Sequence, residues 1–256
     1  MRIIPEIVIV IACLVLSGCN QVIAPSDNVN PYAVTNEVAE SNFRLGVAYL
    51  KNGNYEKALE KLTKSIDADP RYAPAYNALG VLHQKLGQMK KSEDHFKKAL
   101  SLNRSDSSTL NNYGLFLCQN ERYDEAEKAF LDAASNPLYE TPEIAHANAG
   151  ICYLKQGLDD KAEGYFRSAL DLNPRIPSAL IQMSDFSYNQ NNFLSARAYL
   201  QRYLAVSKPT PKSLWLGIKI ENELGDQNAL SSYRLLLKNN FPDSEEARLL
   251  EQSGLK

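Results

Sequence analysis

The chain has 256 residues, 44% of them hydrophobic and 23% charged, with a formal net charge of −2. That is enough apolar material for a packed core, which excludes a largely disordered chain. The near-neutral balance, without a basic cluster, argues against nucleic acid as a partner.

At the N-terminus, Arg2 precedes an apolar run over residues 7–16, then Ser17, Gly18 and Cys19. As a helix this run reaches about 15 Å, roughly half a bilayer core. Residues 1–18 therefore read as a cleaved secretory signal. Leu16-Ser17-Gly18-Cys19 has the form of a lipobox, which predicts a lipid on Cys19. Cys13 also follows an acceptable trio, but cleavage there would leave almost no apolar run. The competing reading is an ordinary secreted or singly anchored protein with a coincidental cysteine, since Glu6 and the single basic residue are atypical of a signal's start. Bacterial lipoproteins retained at the inner membrane resemble one another in carrying Asp after the lipidated cysteine. Asn20 stands there instead, so the expected location is the outer membrane, lipid-anchored, with the folded part facing the periplasm. Residues 19–38 follow as a lipidated N-terminus and tether: Pro25, Pro31 and several Asn occur without helical or alternating period. Fully extended, such a tether spans up to about 60 Å.

From residue 39 to 243 the sequence repeats with a period of about 34. One register position holds Gly46, Gly80, Gly114, Gly150, Ser184 and Gly217. Twelve residues later come Ala58, Ser92, Ala126, Ala162, Ala196 and Ala229, and four further on Leu62, Phe96, Phe130, Phe166, Leu200 and Tyr233. The small residues let two antiparallel helices approach, and the large one fills the seam on the same helix face. Asn52-Gly53-Asn54, Gly87, Asn120, Gly157, Asn191-Asn192 and Gly225 supply turns that tolerate left-handed backbone angles. These are the marks of the tetratricopeptide (TPR) motif. They imply an all-α fold: a right-handed superhelical array of about six helical hairpins at 39–72, 73–106, 107–142, 143–176, 177–209 and 210–243, with residues 244–256 as a C-terminal cap or tail. The third unit is long by about two residues, and the fifth and sixth are degraded, as terminal capping units often are.

Several stretches exceed the generic repeat. Asn111-Asn112-Tyr113-Gly114-Leu115-Phe116 with Arg122-Tyr123-Asp124-Glu125-Ala126, Asn136-Pro137-Leu138-Tyr139 and Ser213-Leu214-Trp215-Leu216-Gly217 resemble the type IV pilus biogenesis lipoproteins of the PilF/PilW pilotin family. The resemblance runs over nearly the whole mature chain in the expected order. It implies a role in placing or assembling the outer-membrane secretin through which type IV pili emerge.

With Cys13 in the signal and Cys19 taken by lipid, Cys118 and Cys152 remain. They fall at positions 12 and 10 of first helices in adjacent units, and two residues of helix turn about 200°. Such an offset permits a disulfide, which an oxidising periplasm favours; two buried thiols packed as small hydrophobes are the alternative. His83 reads as structural and His95 as solvated. No metalloprotease His-Glu spacing, phosphate loop or nucleophile elbow is present, so neither catalysis nor a cofactor, metal or small-molecule substrate is expected.

TPR arrays usually present a concave face lined by first helices. Residues expected there are Phe43, Val47 and Leu50 in unit one, Asn77 and Val81 in unit two, Asn111, Asn112 and Leu115 in unit three, and Asn148 and Ile151 in unit four. An apolar groove edged with amides suits an extended or helical apolar segment; packing between helices would use the same residues. The leading expectation is a protein-binding pilotin whose partners are the secretin and, through its lipid, the membrane. The alternative is a TPR lipoprotein adaptor for periplasmic proteases or other envelope enzymes.

Overall fold

A computed structural model describes residues 37–254, and the signal, the lipid site and most of the tether lie outside them. The described residues form thirteen helices and no strand. They run in hairpins: α1 (Glu37–Lys51) with α2 (Tyr55–Ala68), α3 (Ala73–Lys85) with α4 (Met89–Leu102), and α5 (Ser107–Gln119) with α6 (Tyr123–Ala134). Three more pairs follow, α7 (Pro142–Lys155) with α8 (Asp159–Leu172), α9 (Pro177–Asn189) with α10 (Phe193–Leu204), and α11 (Pro211–Leu224) with α12 (Gln227–Asn240), and the last helix is α13 (Glu245–Gln252). None of these helices is long and apolar enough to cross a membrane.

The start signals are local. Proline sits in the first turn of α3, α7, α9 and α11, where its missing N–H costs nothing. Asn54, Asn192, Asp226 and Ser244 cap their helices through side-chain oxygens that accept backbone N–H groups. Between the helices of each hairpin the chain turns through one left-handed residue. Glycine fills that place at 53, 87, 157 and 225 and Asn191 fills it in the fifth unit. In the third unit the structure corrects the sequence reading: the left-handed residue is Glu121, with φ 61°, and not Asn120. Asn120 keeps φ −95° and donates its side-chain amide to Phe116 O. In units one, two and four the turn falls seven residues after the seam glycine, and in the third unit that place belongs to Glu121.

The seam explains the repeat. A Cβ placed on Gly80 or Gly114 would lie 2.7 Å from the rings of Phe96 or Phe130, closer than carbon atoms pack. Gly46 and Gly150 meet Leu62 and Phe166 in the same way. Where serine replaces a small apolar residue its hydroxyl is satisfied across the seam: Ser92 Oγ donates to Gly80 O, and Ser184 Oγ to Ala196 O, both at 2.8 Å.

Each first helix packs its backbone close to the next first helix, from α1 to α11, while successive second helices stand further apart and meet only through side chains such as Tyr165 on Glu127. Within the array the first helices therefore occupy the crowded inner side. The exposed apolar edge of the last hairpin is covered by α13, whose Ala247 and Leu250 join Leu214, Ile218, Leu230 and Leu237 in one buried cluster.

Candidate partner-binding groove

The inner surface of the first three hairpins holds a groove of about 370 Å³. α1 contributes Phe43, Val47 and Leu50, which recur on one helix face, and α3 contributes Asn77, Ala78 and Val81. Pro74, Asp106, Ser108 and Asn112 close its other end. The large apolar side chains here are half-buried: they pack against the core beneath and present one side to the groove. Phe43 is held edge-on by Tyr72, with ring centroids 5.5 Å apart, so this wall is fixed by packing.

Of the residues expected on this face, the structure brings Phe43, Val47, Leu50, Asn77, Val81 and Asn112 together around the groove. The other four lie elsewhere. Asn111 is buried and accepts from Asn148 Nδ2 at 2.9 Å, so this amide pair ties α5 to α7. Leu115 is exposed one unit further along, in the register position of Val47 and Val81. Ile151 packs against the core cluster of the fourth and fifth units. Asn112 Nδ2 donates to Asn77 Oδ1 at 3.1 Å, so the amides at the groove's edge brace each other. The sequence reading missed Pro74, Ala78, Asp106 and Ser108. Pro74, Asp106 and Ser108 belong to helix starts and a loop, which the seam register does not index, and Ala78 lies mid-helix on α3 beside Asn77.

Cys118 and Cys152, buried beside Phe116 and Ala149, are joined by a disulfide with Cα atoms 5.8 Å apart, linking α5 to α7. A second device ties the second hairpin to the third. Glu93 on α4 accepts from Lys97 and Arg122 and from the Tyr113 hydroxyl, and the two cations hold its carboxyl down to about 2. Arg122 also forks onto Glu125. Near the C-terminal end Arg197 of α10 reaches the buried carboxylate of Glu221 on α11, and Asp226 after it.

His83 is buried with Nδ1 2.8 Å from Gln88 Oε1. His95 departs from its expected solvated position: its ring stacks on that of His83 with centroids 5.0 Å apart. Burial pushes both imidazoles below their ordinary pKa. Among the described residues no three His, Cys, Asp or Glu side chains converge as metal ligands.

Family models of the tetratricopeptide repeat match residues 37–105, 95–128 and 114–177. The chain is 32% identical to the type IV pilus assembly protein PilF of Pseudomonas aeruginosa over 234 residues, covering 90% of this chain and 91% of that one. A solved structure of Pseudomonas aeruginosa PilF superposes with a TM-score of 0.77 at 32% identity, covering 86% of this chain and 99% of that one. The crystal structure of PilW, described as a widely conserved type IV pilus biogenesis factor, gives 0.72 at 31% identity, over 84% and 99%. A hairpin array with these relatives along nearly its whole length belongs to the PilF/PilW family of type IV pilus biogenesis TPR proteins.

Proposed function

We propose that this chain is a pilotin: a non-enzymatic, lipid-anchored adaptor that holds a secretin subunit and brings it to the outer membrane for assembly. The observation that carries this reading is the groove on α1, α3 and α5, whose apolar walls are pre-formed and open in a chain of type IV pilus kinship. A groove of this size and polarity fits a few apolar side chains of a helical or extended segment. In this reading its apolar walls and amide edge serve capture and placement. In this reading residues 1–18 are removed, Cys19 carries the lipid, and residues 20–38 let the array stand away from the membrane.

The test is genetic. Deleting the gene removes assembled secretin from outer-membrane fractions, and restoring the wild-type copy returns it. A Cys19→Ala copy still binds secretin subunits and restores assembly only in part, because binding then persists without delivery. Unchanged secretin assembly after deletion sinks the pilotin reading and leaves a pilus-family TPR protein with another partner.

A further inference from the structure

The groove does not end at α5. A second recess, of about 440 Å³, lies beyond it, and Asp106 and Ser108 line both, forming a shared sill. The far wall of this recess is the segment over residues 136–141 that makes the third unit long. That segment is held by a built turn. Asn136 Nδ2 donates to Ser105 O at 3.2 Å and to Ser107 Oγ at 3.0 Å, while its Oδ1 accepts from Leu138 N at 3.0 Å. Leu138 is 87% exposed, although its own N–H and that of Tyr139 are bonded back to Asn136. A single exposed leucine is ordinary on a surface. This one forms the lip of a recess that runs on from an apolar groove.

The chemistry of the recess differs from that of the groove. Its charged lining side chains are Asp106 and Glu140, with no Lys or Arg among them. Asp106 accepts from Thr109 and so serves the start of α5, whereas Glu140 makes no ion pair among the described residues. A chain segment leaving the groove across the sill therefore moves from apolar walls to carboxylates, hydroxyls and amides beside one exposed leucine.

We infer that the binding site extends past the groove: the partner segment that fills it with apolar side chains runs over the Asp106–Ser108 sill and sets a lysine or arginine against Glu140, packing an adjoining apolar group on Leu138. The occupant is a basic-flanked apolar segment of the secretin subunit, so this inference rests on the pilotin reading. Charge complementarity at such a rim adds specificity and rate more than bulk affinity, and salt screens it.

The experiment measures binding of overlapping peptides from the periplasmic part of the type IV pilus secretin of the same genome, using the full-length lipidated chain in detergent. Val47→Asp, Glu140→Lys and Leu138→Ser are compared with wild type at low and high salt. Glu140 and Leu138 are exposed, so their variants keep the fold. The expected result is loss of binding with Val47→Asp and about tenfold weakening with Glu140→Lys at low salt. The peptides retained should carry a lysine or arginine beside their apolar residues, and replacing it by glutamate should restore binding to Glu140→Lys. If both rim variants bind within about twofold of wild type while Val47→Asp fails, the extension is wrong and the groove stands. Undiminished binding by Val47→Asp overturns the groove reading, and this inference with it.

Discussion

At the residue scale the seam and the turn make opposite demands. Gly114 must have no Cβ, because the Phe130 ring occupies that space. Gly114→Ala should cost about 1–3 kcal/mol, the range for overpacking a filled core, measured as a lower urea midpoint. Glu121 holds a left-handed angle that glycine takes freely, and its exposed side chain makes no hydrogen bond or ion pair among the described residues. Glu121→Gly relieves roughly 1–2 kcal/mol of backbone strain and gives some back in unfolded-chain entropy. A net gain of about 0.5–1 kcal/mol is expected; a loss would show that this turn is not strained. The seam was legible because it needs specific residue types at fixed spacing. The turn was misplaced by one residue because Asn120 has the composition of a turn residue, while the position demanded by register falls on a glutamate.

At the element scale, stability lies in how one hairpin is fastened to the next. The disulfide between α5 and α7 closes a loop of 34 residues. On the loop-entropy account its removal should cost about 4 kcal/mol. Reduction, or Cys118→Ala with Cys152→Ala, should therefore lower the unfolding midpoint markedly while the helix signal at low temperature persists. The histidine stack inside the second hairpin should respond to pH. Packed imidazoles with lowered pKa bind protons less readily than unfolded ones, so stability is full above the ordinary histidine value of about 6.5 and falls as pH drops through it. Between about pH 7 and 5 the wild type should lose stability, and His95→Gln should flatten that slope; an unchanged slope would remove the stack as its cause. The Glu93 carboxyl, held down to about 2, stays ionised throughout that window. The stack was not legible, since His83 and His95 lie in different helices and only the seam brings their rings together.

At the scale of the whole molecule, the array turns a one-dimensional repeat into one inner surface with distinct stretches. Its first part is apolar and its edge is braced by asparagine pairs, and the Asn77–Asn112 and Asn111–Asn148 bonds repeat that motif across hairpin boundaries. Register alone indicated that first helices would share a face, and six of the residues placed there line the groove. What spacing could not indicate is where the groove stops. That depends on loop residues such as Asp106 and Ser108, and on whether Leu115 or Ile151 turns to solvent or to a neighbouring core. A C-terminal cap or tail was expected over 244–256, but its helix α13 is too short to show a repeat, and Leu250 is fully buried in the terminal cluster. Leu250→Ala should cost roughly 2–4 kcal/mol and fray the last hairpin first, read as faster amide exchange in α11 and α12.

The central claim is that the secretin is held on the α1–α3–α5 groove, and in-cell photo-crosslinking tests it most directly. A photoreactive side chain replaces Val81, which lines the groove, or Leu172, which is 54% exposed near the end of α8. The full-length chain is expressed in its own host and irradiated, and adducts are probed for secretin. An adduct from position 81 and none from position 172 is the predicted result. Secretin captured from position 172 and not from position 81 would contradict the groove as the binding site.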